Sequence, residues 1–241
     1  MRPLETLCLI FLFLSILFLF FNRKRTYFLS LLFLTIVISI LQYYTEGLRW
    51  QFYIFIYFLP AIYICHIKQK DHIHPIVKVF FSFWVLLAFV VPYIIPVFSL
   101  PSPQGKDFVG TETFHWVDSS RLEWFTKEKS NDYREIMAQI WYPGSHHQNK
   151  KVEPYMDFIK LRSKTIAAAG NLPSFLPSHL NFVKTNSYLE IPCKNKKDGL
   201  PTVIFSHGIT GSRHLHQALF EHLSSQGYVV VALDHSSDCN L

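Results

Sequence analysis

Four apolar runs crowd the first hundred residues, at about 4–21, 27–44, 51–67 and 76–98. Each approaches the ~20 residues with which a helix crosses a bilayer core. Hydrocarbon offers no hydrogen-bond partners, so such a run must satisfy its own backbone, and a helix does this within one segment. The first expectation is therefore a bundle of four transmembrane helices over residues 1–98. Arg23, Lys24 and Arg25 fall between the first two runs, and Lys68, Lys70 and Lys78 fall between or just inside the last two. The middle connection carries only Glu46 and Arg49. Lysine and arginine favour the cytoplasmic side, which places the first and third loops there and both termini on the outer face. A cleaved signal peptide fits poorly, because Glu5 follows Arg2 and no small-residue cleavage site precedes Asn22. No charged residue sits in the middle of a run, so anchoring is favoured over transport.

Net charge follows the same division. Residues 1–100 hold 8 Lys/Arg against 3 Asp/Glu, and residues 101–241 hold 15 against 14. The +6 of the whole chain thus belongs to short loops between apolar runs. A basic stripe on a folded domain is the footprint of nucleic-acid binding, and none is visible. Cys8 and Cys65 lie inside the runs as small apolar groups. Cys193 and Cys239 face outward in this scheme; a disulfide between them is conceivable, but two cysteines make no framework.

Residues 99–109, with Pro101, Pro103 and Gly105, have the composition of a linker. Beyond them, 111–117 and 136–142 read as strands, the second stopped by Pro143-Gly144. Residues 153–169 carry a helical pattern, and 181–191 read as a further strand. The last unit is the clearest. Residues 202–205 form a short apolar strand, Gly211 or Ser212 can cap a helix with Leu215, Ala218, Leu219 and Leu223 as its stripe, Gly227 ends that helix, and 228–233 is a continuous apolar run. Strand, helix, strand at this spacing is a βαβ unit with a parallel pair.

Four blocks carry a resemblance. They are GTETFHWVD at 110–118, REIMAQIWYP at 134–143, LPTVIFSHGITGS at 200–212 and GYVVVALDH at 227–235. In this order and spacing the chain resembles the start of the platelet-activating-factor acetylhydrolase family in its bacterial, membrane-anchored form. The resemblance implies the first part of an α/β-hydrolase fold over residues 110–241, with an incomplete sheet. It also implies hydrolysis of short or oxidised acyl esters of phospholipids by a Ser-Asp-His triad, with no cofactor and no metal. Ile209, after the His207-Gly208 pair, would offer its backbone N–H to the oxyanion hole, and Gly208 and Gly211 would keep that turn free of Cβ clashes. The 241 residues contain no G-x-S-x-G turn. In the family's strand order the 202–205 strand pairs with the nucleophile strand, so it would be left here as an open apolar edge.

Other residues offer little chemistry at this stage. Asp234 and His235 are neighbours at the end of a strand and point to opposite faces. Ser206, Ser212, Ser236 and Ser237 have no recognisable base. His214, His216 and His222 do not make an H-E-x-x-H pattern, and His66, Asp71, His72 and His74 read as a solvated loop. The expectation is a membrane-anchored ester hydrolase scaffold on the extracytoplasmic face of a bacterial cell membrane. Its substrate would be a lipid ester, it would bind no nucleic acid, and on its own it would be inert; any protein partner is left open. The rivals are a catalytically dead membrane protein with a partner-binding role, and a small transporter or sensor.

Overall fold

The computed structural model describes all residues except 1, 22–24, 57, 69–72, 125, 127–131, 147–149, 195–197, 210 and 236–241. The chain divides into two compact units, Met1–Val97 and Phe98–Leu241.

The first unit is helical: α1 (Pro3–Phe20), α2 (Arg25–Glu46), α3 (Trp50–Ile56), α4 (Phe58–Lys68) and α5 (Pro75–Ile94). Among the described residues three helices are long and apolar enough to cross a membrane, Pro3–Phe20, Thr26–Glu46 and Pro75–Ile94. This corrects the expectation of four. The third apolar run is covered by α3 and α4, with residue 57 between them outside the described residues, and its apolar helix is the shorter Trp50–Cys65. That stretch falls short of the ~20 residues with which a helix crosses a bilayer core. The fourth run also stops early, at Ile94, because Pro96 drives the residue before it out of the helical region. Pro3 and Pro75 open their helices, where a missing N–H costs nothing. Leu9, Leu12, Ile16, Phe28, Phe52, Phe55, Ile62, Phe81 and Ala88 form the apolar core.

Charge is buried at one end of these helices. Arg49 makes a two-pronged bond to Glu5, Nε to Oε1 at 2.8 Å and Nη2 to Oε2 at 2.6 Å, with both residues 2% exposed or less. Glu46 accepts the N–H of Leu4 at 2.8 Å and that of Glu5 at 3.3 Å. It thereby satisfies free donors of the first turn of α1, where a carboxylate is also favoured by the helix dipole. Glu46 and Arg49, read from sequence as ordinary loop charges, hold the ends of α1 and α2 together.

The second unit is a mixed sheet with helices. Its elements are β1 (Phe108–Leu122), β2 (Tyr133–Gly144), β3 (Val152–Pro154), α6 (Ile159–Ala169), a 3-10 turn (Leu176–Phe182), β4 (Lys184–Leu189), β5 (Thr202–Ser206), α7 (Gln217–Ser225) and β6 (Val229–Asp234). The strand order is β3-β4-β1-β2-β6-β5. β1 and β2 are antiparallel, with Phe108 opposite Gly144 and Asp118 opposite Arg134. β6 runs antiparallel to β2 and parallel to β5, which pairs Ser206 with Leu233. Trp141, fully buried, packs on Phe220 of α7 at 5.0 Å between ring centres, and Val109, Val230 and Ala232 complete the core.

Two local expectations fail. Residues 153–169 are not one helix: Glu153 and Pro154 lie in β3 against β4, and α6 starts only after Phe158, whose backbone is left-handed at φ 45°. α7 begins at Gln217 and buries Gln217, Phe220, Glu221 and Ser224, while Leu215 and Leu219 are exposed. The face was misread because the interior here is polar. Glu221 accepts from Ser187 Oγ at 2.7 Å and from Asn186 Nδ2 at 2.8 Å, tying α7 to β4. Gly227 does take the positive φ, 100°, that ends α7. β5 is the outermost strand, and its Ile204 is 72% exposed.

Candidate active site at the carboxyl ends of β5 and β6

Parallel strands in open α/β sheets present their ligand sites beyond their carboxyl ends. β5 and β6 end side by side, and both run directly into polar residues. From β5 come Ser206, His207 and the turn to Ser212; from β6 come Asp234 and His235. Gly211 donates its N–H to Gly208 O at 2.9 Å and closes the turn. A Cβ on Gly211 would lie 2.8 Å from both Gly208 O and His207 Cβ, so the turn requires glycine there. Gly208 has open space where a Cβ would stand, so steric crowding does not explain it. The side chain of Ile209, the expected oxyanion residue, is 85% exposed.

Arg213 bolts the far end of the turn to β6. Its backbone N–H donates to Asp234 Oδ1 at 2.7 Å, and its guanidinium pairs with Asp234 and Asp157. Arg162 of α6 bridges the same two carboxylates, at 2.8 Å to Asp157 and 3.1 Å to Asp234. Arg213, Arg162 and Asp234 are each 2% exposed or less. Arg213 Nε also donates to Gln139 Oε1 of β2 at 3.1 Å. Buried charges survive only when paired and hydrogen-bonded, and here two arginines meet two aspartates.

Two groups next to this network are held uncharged. Burial, then Arg213 and Arg162, push the His214 imidazole well below its ordinary range, although its Nε2 lies 3.5 Å from Asp157. Burial raises Glu153 to about 8, with Glu221 and Asp157 adding to the shift and a hydrogen bond from Gln139 opposing it. Gln217 Nε2 donates to the same carboxyl at 3.0 Å.

Asp234 and His235 diverge as their positions at a strand end require. Asp234 turns inward to the arginines, while His235 Nε2 lies 2.8 Å from Ser206 Oγ, at hydrogen-bond distance. Ser206 therefore has an imidazole neighbour that the sequence did not reveal. The available signal was that two neighbouring parallel strands both end in polar residues, but spacing alone could not show that they end level. Ser212 is buried and accepts the His214 N–H at 3.4 Å. Ser236, Ser237 and Cys239 lie outside the described residues, as do Asp71 and His72. Cys193 is a free thiol.

Residues 108–240 match the family model described as "Platelet-activating factor acetylhydrolase, isoform II". A solved ferulic acid esterase from Streptomyces cinnamoneus is similar at 29% identity and a TM-score of 0.47, over 60% of this chain and 38% of that one. The chain thus spans well under half the length of that esterase. Among curated proteins none matches.

Proposed function

The chain belongs to the family of platelet-activating factor acetylhydrolase, isoform II, and on that premise we propose that it is a carboxylic ester hydrolase acting on short-acyl lipid esters beside a membrane. The observation that carries this reading is the turn beyond β5. It is held at Arg213 by the buried ion network, shaped by Gly211, and open at Ile209. Attack on an ester carbonyl builds negative charge on its oxygen. A fixed backbone N–H at that point lowers the barrier, because it needs no reorganisation as the charge appears. In this reading the Ile209 amide is such a donor. In this reading the apolar edge of β5 takes a further strand, which brings the attacking hydroxyl.

The apolar helices α1, α2 and α5 support a tether in the membrane. Tethering raises the effective concentration of an enzyme at a lipid surface without any new contact. The basic residues between the apolar runs support an extracytoplasmic location for the sheet unit.

The test uses the protein tagged at its chromosomal locus and recovered in its own membranes. It is expected to release acetate from short-acyl phospholipid in vesicles. Ile209→Pro deletes the N–H, with Ile209→Ala as the matched reference that keeps it. The proline variant is expected to lose about 10²–10³ in kcat relative to the alanine variant, with KM little changed. Absence of hydrolysis, or equal kcat in the two variants, overturns the reading.

A further inference from the structure

We propose that Ser206 and His235 form a nucleophile–base pair of their own, which accepts an acyl or phosphonyl group from activated esters. The hydroxyl and the imidazole are 2.8 Å apart, within the range at which a histidine activates a serine. The hydrogen bonds around them fix the tautomer of His207. His207 Nδ1 lies 2.8 Å from Gly208 O and so carries the proton. This leaves His207 Nε2 free to accept the backbone N–H of His235, at 3.3 Å. The two rings are 4.6 Å apart, so His207 braces His235 both at its backbone and at its ring. In the reactive arrangement Ser206 donates to His235 Nε2, and the His235 proton is on Nδ1. Ser206 is exposed and His235 is half-buried, so a small ester reaches the hydroxyl.

In the step itself, Ser206 Oγ bonds to the carbonyl carbon as its proton passes to His235 Nε2. The bond to the leaving alkoxide then breaks, the alkoxide takes that proton from His235, and the acyl group stays on Oγ. Water removes the acyl group by the same route in reverse. Among the described residues no carboxylate is set against His235, since Asp234 is committed to Arg213 and Arg162. With no countercharge for the imidazolium among the described residues, both steps are slow and the acylated serine accumulates. This pair needs neither the Ile209 amide nor a strand added to β5, so it stands or falls apart from the function proposed above.

The experiment uses the full 241-residue chain in detergent micelles, treated with p-nitrophenyl acetate and with a fluorophosphonate. The expected result is up to one equivalent of label, mapped by mass spectrometry to Ser206. Ser206→Ala is expected to abolish it, and His235→Ala to slow it about 10²-fold. The pH dependence of the labelling rate separates activation from mere accessibility. A base-assisted serine gives a rate that levels off with rising pH, whereas an unassisted one keeps climbing with hydroxide. The profile is read on the unmutated chain, so the test holds even where a variant fails to fold. Label on another residue, no label on chain that melts cooperatively, or a rate that never levels off overturns the proposal.

Discussion

The two units solve opposite problems with the same devices. In the helical unit the outside is apolar, with Phe33 at 69% exposure on α2, while Glu5 and Arg49 are sealed inside. In the sheet unit Trp141 and Phe220 are sealed inside together with a far larger set of polar groups, among them Arg162, Arg213, Glu221 and Asp234. A buried ion pair is weak support for stability in itself, since desolvation offsets most of the attraction. Its value lies in geometry. In the helical unit one such pair joins helix ends. In the sheet unit the network joins β6, α6 and β2 to the turn beyond β5. Exposed apolar surface tells the other half of the story. On the helices it is spread over whole faces, as a hydrocarbon surrounding favours; on the sheet unit it is scattered, from Trp116 and Leu122 of β1 through Leu161 of α6 to Ile204 of β5 and Leu219 of α7.

The largest effect expected from breaking this contrast is at Asp234. Asp234→Ala leaves two buried arginines with Asp157 as their shared carboxylate, and removing one partner of such a buried pair costs about 3–5 kcal/mol. Denaturant unfolding of the full chain in detergent checks it. Phe33→Lys sharpens the contrast from the other side. On a water-facing helix this change is near neutral, whereas at a lipid-facing position near the middle of a span it costs about 2.5–3.5 kcal/mol. Recovery of the variant in the membrane fraction distinguishes the two.

The smallest effect concerns Glu153. Its folded-state value, about 8, stands above the ordinary 4.5, so the folded form holds a proton that the unfolded chain has already lost across that interval. Stability is greatest at the acid end, declines as pH rises towards about 8, and changes little from this group beyond. The decline is modest, because β3 is a three-residue edge strand that can part locally and expose the carboxyl. Thermal melting from pH 5 to 9 reads the slope, and Glu153→Gln, which cannot ionise, is expected to flatten it.

Much of the βαβ unit was legible because its signals are local. The apolar run of β6, Gly227 at the end of α7 and the strand ending in Ser206-His207-Gly208 each carry their meaning within a few residues. The buried face of α7 was not legible. Periodicity rewards leucines, and this helix turns its glutamate and glutamine inward to partners on β4 and β3 that no spacing rule connects to it. Glu153 misled for a similar reason: a helical pattern ran through a residue that Pro154 and a strand pairing claim.

Sequence by itself determined what each segment can be. It placed apolar runs where only helices satisfy the backbone, a parallel strand pair around one helix, and a glycine turn after β5. Tertiary structure decided which residues meet. Ser206 and His235 lie 29 residues apart, and Arg213 and Asp157 lie 56 apart; each pair is joined only because neighbouring strands end level and α6 folds back beside them. Local propensity acts through bonds along the chain, whereas catalytic and ionic contacts depend on distances through space that packing alone sets.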